Sequence, residues 1–299
     1  MTRRSLPSVI LTLVIVIAAA LVAAPASAQT AKPKRGGILN SVLTEDPPGL
    51  LVHESATISS VWPMSPCYSN LVIFDPLKPL DSAETVIPEL AERWSWQDNF
   101  RSLVFFLRKN VKWHDGRPFT AADVKYTFDM VREAPEAAAK MRTSPRKDWY
   151  TSVEAIEAPE AHTVVFRLKR PQPSFLTMLA SGYTPIYAAH VPPAQYRTSC
   201  IGTGPFKLKE WRKGEFVEYV KNPDYFVKGR PYLDGLKYVV ITDRGTKFAA
   251  LQAGQLDAAF PSDETKTIAE QVMKAEPRIV MQINGTNVND NLLLNTTKP

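Results

Sequence analysis

Cysteine is almost absent from this chain, with only Cys67 and Cys200 among 299 residues, which leaves room for one disulfide at most. Spacing alone does not say whether they pair. Cysteine commonly serves as a small core residue, so two buried free thiols are the expectation and a disulfide the alternative. Histidine is equally scarce: His53, His114, His162 and His190 are scattered. No Ser or Cys lies in a nucleophile-elbow context, so nothing local marks a hydrolase. Runs of one charge are also missing. The net charge of +6 comes from Lys and Arg mixed among Asp and Glu, which gives nucleic-acid binding little support. No internal repeat is present. Glycine is modest at 13 residues while proline reaches 25, a balance that fits ordered loops rather than low complexity.

Long apolar runs occur once, at the start. Arg3 and Arg4 precede an almost wholly apolar stretch from Leu6 to Ala24, and Ala26-Ser27-Ala28 supplies small residues for cleavage. Residues 1–28 are therefore read as an export signal, cleaved after Ala28, with an uncleaved anchor as the alternative. Thr2-Arg3-Arg4-Ser5-Leu6 leaves a general or a twin-arginine export route open. No cysteine stands at the cleavage point, which argues against a lipid anchor. Losing the signal removes two arginines and no acid, so the charge falls from +6 to +4.

The mature length suits about two domains or lobes. Ile38 to Leu43 reads as a strand, Glu45 to Pro66 as a long ordered loop, and Tyr68 to Phe74 as an apolar stretch ending at Asp75-Pro76. Leu103 to Arg108 reads as a buried strand, and Thr163 to Leu168 as a half-buried one with Val164, Phe166 and Leu168 on one face. Thr120 and Asp123 form a capping-box pattern before Val124, Phe128 and Val131, so a helix starts there and stops before Pro135. Phe206 to Trp211 and Phe216 to Lys221 form a hairpin, and Leu236 to Thr242 another strand. Thr246 is expected to cap a helix that Gly254 ends, followed by a strand from Leu256 to Phe260. Mixed strands and helices give an α/β or α+β class.

Two turns invite chemical readings and lose them. His114-Asp115-Gly116 offers one imidazole beside one carboxylate, which is no metal ligand set; it reads as a turn leading to the Thr120 cap. Gly202-Thr203-Gly204 lacks the Lys-Ser/Thr ending of a phosphate loop and precedes a strand, so its glycines read as permitting a tight backbone path.

A colinear series of motifs carries a resemblance. Pro88-Glu89-Leu90-Ala91-Glu92-Arg93-Trp94 fits a P-x-L-A-x-x-W pattern. It is followed by the block Phe106 to Val124, which contains Trp113-His114-Asp115-Gly116. Next come Gly202-Thr203-Gly204-Pro205-Phe206, Asn222-Pro223-Asp224-Tyr225-Phe226, Gly229-Arg230-Pro231-Tyr232-Leu233-Asp234, Ala249 to Asp257, and Leu294-Asn295-Thr296-Thr297-Lys298-Pro299. In this order they resemble the family-5 extracytoplasmic solute-binding proteins of ABC importers, the oligopeptide-, dipeptide- and nickel-binding group.

That resemblance implies a type II periplasmic-binding-protein-like α/β fold with the extra domain of the peptide-binding cluster. It places one discontinuous mixed domain at 36–74 and 185–283, the smaller domain at 75–184, and the start of a second lobe at 284–299. The first lobe is then nearly complete and the second missing, as in a C-terminally truncated chain. The implied role is capture of a solute, most simply a peptide, in the periplasm for delivery to ABC permease subunits, by a protein that is monomeric at full length. No enzyme activity, cofactor or metal is implied. A nickel chelate, haem, an opine or a sugar remain alternative ligands, and a secreted hydrolase the alternative class. By the same resemblance Thr44, Glu45, Tyr68, Ser69, Asn70, Gly202, Thr203 and Gly204 lie near the cleft, with Tyr183 a further aromatic candidate.

Overall fold

Two four-stranded sheets carry the architecture of the computed structural model, which describes residues 33–259 and 266–280. The export-signal segment and the stretch from residue 284 onward lie outside the described residues, as does Phe260. In chain order the elements are β1 (Ile38–Leu43), α1 (Ile58–Met64), β2 (Val72–Phe74), β3 (Val86–Pro88), β4 (Ala91–Gln97), β5 (Ser102–Leu107), α2 (Ala121–Val131) and β6 (Val153–Glu160). They continue as β7 (Thr163–Leu168), α3 (Phe175–Leu179), α4 (Pro193–Tyr196), β8 (Phe206–Arg212), β9 (Phe216–Lys221), β10 (Gly235–Val240), α5 (Arg244–Gln252) and α6 (Lys266–Ala275).

The first sheet runs β1-β10-β9-β8, with β1 parallel to β10 and the other pairs antiparallel. Its β8–β9 hairpin turns at Gly214, whose φ of +77° is the left-handed conformation a glycine reaches at no steric cost. The second sheet, β4-β5-β7-β6, is antiparallel throughout. The apolar run of β5 makes it the inner strand, with Leu103, Phe105 and Leu107 buried. On β7, Val164, Phe166 and Leu168 are buried together, as alternation requires, and Val165 is buried as well.

Helix α2 covers this sheet, packing on β6 and β7. Its capping box forms as read: the Thr120 N–H donates to Asp123 Oδ2 at 2.8 Å. The Phe128 ring then meets Phe166 at 5.2 Å, and Phe166 meets Phe105 at 5.9 Å and Phe175 at 5.4 Å. Rings of this size bury enough apolar area to be worth about 1.5–3 kcal/mol each.

The first sheet draws its strands from 38–43 and 206–240, and the second from 91–168. A single buried cluster nevertheless runs through both, and the described residues from Lys34 pack as one unit.

Three expectations need correction. The stretch from Glu45 to Pro66 is not simply a loop: it holds a 3₁₀ turn at Val52–Glu54 and the helix α1. That helix forms despite Pro63 because it buries Ser60, Val61, Pro63 and Met64. Within the apolar stretch from Tyr68, as read, Val72–Phe74 form the short strand β2 while Tyr68 to Leu71 cross the core. Asp243, not Thr246, caps α5: its carboxylate accepts the Thr246 N–H at 2.7 Å, while Gly254 ends the helix at φ +70° as expected. Finally, the stretch from Leu256 makes one parallel bridge, Ala258 to Ser41, rather than a strand.

Candidate functional site

Cys67 to Leu71 thread between α1 and β2, and they gather the groups of the most built site among the described residues. Tyr68 is buried edge-on to Tyr187 at 4.9 Å, with Tyr196 at 6.3 Å. The Ser69 carbonyl accepts the Ile186 N–H at 3.0 Å. Asn70 binds three ways: its N–H donates to Glu89 Oε2 at 2.7 Å, its Nδ2 to the Ser181 carbonyl at 3.2 Å, and its carbonyl accepts from Leu90 at 3.0 Å. Between these strands of chain lies a half-enclosed cavity of about 190 Å³, lined by Tyr68, Ser69 and Asn70 together with Val61, Met64 and Glu89.

The other sequence candidates lie around it in different states. Gly182 lines the cavity, and Tyr183 beside it is half-buried, with the Arg146 guanidinium 5.1 Å from its ring and Trp149 6.0 Å away. Arg146 is itself buried and holds the 3₁₀ turn by donating to the carbonyls of Ser55 at 2.6 Å and Val52 at 2.7 Å. Thr44 and Glu45 are exposed, and Glu45 accepts a hydrogen bond from Ser59 on α1.

Gly202, Thr203 and Gly204 are buried rather than presented. The Gly204 N–H donates to the Cys67 carbonyl at 2.8 Å, and Phe206 to that of Pro66 at 3.0 Å. A Cβ on Gly204 would stand 2.5 Å from Cys67 C and Pro66 O, and one on Gly202 would overlap the Cys67 carbonyl. Glycine is required here by close backbone approach. The same crossing is closed covalently. Cys67 and Cys200 form a disulfide with Cα atoms 6.5 Å apart, which corrects the expectation of free thiols. The pairing depends on a contact across 133 residues, which no local pattern encodes.

His114 clamps the crossing from the far side. Its Nε2 is 3.0 Å from the Gly204 carbonyl, its Nδ1 accepts from Gly202 at 3.3 Å, and its own N–H donates to the Gly202 carbonyl at 2.9 Å. The turn therefore does more than lead to the Thr120 cap. Burial, reinforced by Lys207, lowers the His114 pKa to about 4 against the favourable contact with the Gly204 carbonyl. His53 is lowered further, to about 3, by burial and by Arg146.

Glu89 is the residue the sequence reading passed over. Burial pushes its carboxyl up to about 7, against the opposing pull of the Asn70 N–H, the Ser69 hydroxyl and the Arg108 charge. In sequence it is only one letter of a structural motif; its hydrogen-bond partner, the Asn70 N–H, is 19 residues away.

Residues 85–299 match the sequence profile of the bacterial extracellular solute-binding proteins, family 5. The chain belongs to this family. A Brucella ovis protein provisionally named an ABC transporter peptide-binding protein is 33% identical over 204 residues, 64% of this chain and 36% of the relative. The oligopeptide-binding protein AppA of Bacillus subtilis, solved with a nonapeptide, superposes with a TM-score of 0.68 at 30% identity, over 81% of this chain and 47% of that one. AgaA of A. tumefaciens R10, solved with agropinic acid, gives 0.64 at 28%, over 75% and 43%. The family-5 chain thus has the α/β periplasmic-binding-protein fold and spans roughly a third to a half of these relatives' lengths. Among its described residues no group of three or more His, Cys, Asp or Glu is placed to hold a metal ion, and no helix is long and apolar enough to cross a membrane.

Proposed function

We propose that this family-5 protein is the solute-binding component of an ABC importer, taking up a peptide in the periplasm and handing it to the permease. The observation that carries the reading is the match to the family over residues 85–299 together with the likeness to AppA, whose structure holds a nonapeptide. The role is binding, not catalysis. Capture proceeds by closure of two lobes around the solute, and a closed, loaded, monomeric protein docks on the permease. One lobe is assigned to residues 36–74 and 185–283, the smaller domain to 75–184, and the opposing lobe begins at 284. Tyr68, Ser69 and Asn70 are assigned to the ligand side of the first lobe, with Thr44, Glu45 and Tyr183 at its rim and Gly202 to Gly204 shaping it from behind. A cavity among Tyr68, Ser69 and Asn70 supports that assignment.

Isothermal titration of the purified chain with di-, tri- and nonapeptides is the direct test. Saturable binding that weakens on Tyr68→Ala and Asn70→Ala is expected. Binding of agropinic acid but of no peptide would instead favour an opine ligand, a second reading motivated by the AgaA likeness. Turnover of any peptide or ester would replace the binding reading with a hydrolase.

A further inference from the structure

We infer that the cavity beside Asn70 is a subsite for a cationic group on an alkyl stem, an ammonium or guanidinium, with Glu89 as its counter-ion. The assignment rests on the solute-binding reading but not on which solute is carried.

Size comes first. At about 190 Å³ the cavity is below the roughly 300 Å³ at which whole small-molecule sites begin, yet holds several waters' worth of space at about 30 Å³ each. It suits one side-chain-sized group. Its walls are largely apolar, from Val52, Val61, Met64, Ile73 and Pro185, which favours a hydrocarbon stem. Glu89 is the one carboxyl on the lining.

The electrostatics of Glu89 are incomplete as the protein stands. Among the described residues it forms no ion pair within 4.0 Å; its carboxylate is held by the Asn70 N–H. Arg108 is the cation that acts on it, but its Nε donates to the main-chain carbonyl of Glu89 at 2.6 Å and its guanidinium lies over Phe226, 5.5 Å from the ring centroid. The other groups facing the carboxyl are neutral: Ser69 and Asn70 from the threading segment, and Tyr225, itself kept protonated by burial. A largely desolvated, half-buried carboxyl with so little compensation holds a proton to about pH 7. A ligand cation would replace that proton and restore the ionised form. If Glu89 served only to accept the Asn70 N–H, a glutamine would do as well.

That contrast defines the experiment. n-Butylammonium and its neutral isostere n-butanol are titrated into the purified chain and into Glu89→Gln at pH 6.0 and 8.5, where an alkylamine stays protonated. In the parent chain the ammonium should bind at least tenfold tighter than the alcohol at pH 8.5. Its affinity should fall about tenfold at pH 6.0, as a carboxyl titrating near 7 takes up its proton. Glu89→Gln should bind both alike at both pH values. An independent readout on the unmutated chain is the ¹³C signal of the Glu89 carboxyl, whose titration midpoint should drop by at least one pH unit under saturating ammonium.

Equal binding of ammonium and alcohol, a preference surviving in Glu89→Gln, or an unmoved midpoint would each overturn the inference. A chain that binds peptides but ignores n-butylammonium would retain the importer reading and lose this one. Ammonium binding at Glu89 without any peptide or opine binding would do the reverse.

Discussion

His114 Nε2 stands 3.0 Å from the carbonyl oxygen of Gly204, and the contact fixes which ring nitrogen carries the proton. Nδ1 already accepts the Gly202 N–H, so Nε2 must be the donor and the ring must be neutral. Protonating Nδ1 would turn that acceptor into a donor facing a donor. The two most recognisable turns of the sequence are joined by a hydrogen bond that exists only in the uncharged state.

Acid should therefore weaken the fold earlier than carboxylates alone would cause. A histidine with a folded pKa near 4 and an unfolded one near 6.5 contributes its full stability above pH 6.5 and loses it progressively as pH falls toward 4. The loss is on the order of 3 kcal/mol across that window. Urea midpoints measured at pH 7 and pH 4.5 should show this fall, and His114→Gln should flatten it. His53, lowered to about 3, extends the same trend to lower pH. An unchanged slope in His114→Gln would remove His114 from the account.

Glu89 should act with the opposite sign. A carboxyl raised to about 7 is neutral in the folded state at low pH, so its burden appears as pH rises from about 4.5 through 7. Glu89→Gln keeps an oxygen for the Asn70 N–H and carries no charge. It should stabilise the protein by on the order of 1–3 kcal/mol at pH 8 and by little at pH 4, the residual exposure of the side chain trimming the full linkage value. Thermal melts of both proteins at the two pH values decide it.

Two glycines should differ sharply on replacement by alanine. Gly214 has φ +77° with open space around it, so Gly214→Ala costs only left-handed strain, about 1–2 kcal/mol. Gly204→Ala drives a methyl into the backbone of Pro66 and Cys67, which cannot yield as a side chain could, and should cost about 3 kcal/mol or more. Equal melting temperatures for the two variants would show that the crossing is looser than its geometry.

Reducing the disulfide, or replacing both partners with serine, should lower stability by about 2–5 kcal/mol, because the bond closes a loop of 133 residues in the unfolded chain. Denaturant midpoints with and without reductant measure this directly.

What was legible in the sequence was what short-range periodicity dictates. The alternation at Val164, Phe166 and Leu168, the box at Thr120 and Asp123, and the β8–β9 hairpin each form as their residues demand. Misreadings fell where distant partners decide. Pro63 and the surrounding Ser and Thr argue against a helix, yet burial of Val61 and Met64 makes α1. Val153–Glu160, five of its eight residues exposed, was not singled out as a strand and forms β6 by local pairing with β7. Thr246 was the expected cap of α5, and the fold puts Asp243 there instead. Tyr68, Ser69 and Asn70 were candidates through the family resemblance alone. Glu89 was not among them, since what unsettles its proton is a fold around it rather than a neighbour in sequence.

The parallel pairing of β1 with β10 has a consequence for how the molecule is assembled. The second sheet is built of strands close in sequence, with β4–β5 and β6–β7 as local antiparallel pairs, whereas Ile38 finds its register partner only at Gly235. A chain synthesised from its N-terminus leaves the first strand idle until almost all of the described residues have followed it. During that wait the middle of the chain can already be folded. Pulse-labelled hydrogen exchange during refolding should find Phe105 and Phe166 protected well before Val42, and the reverse order would contradict this sequence of events.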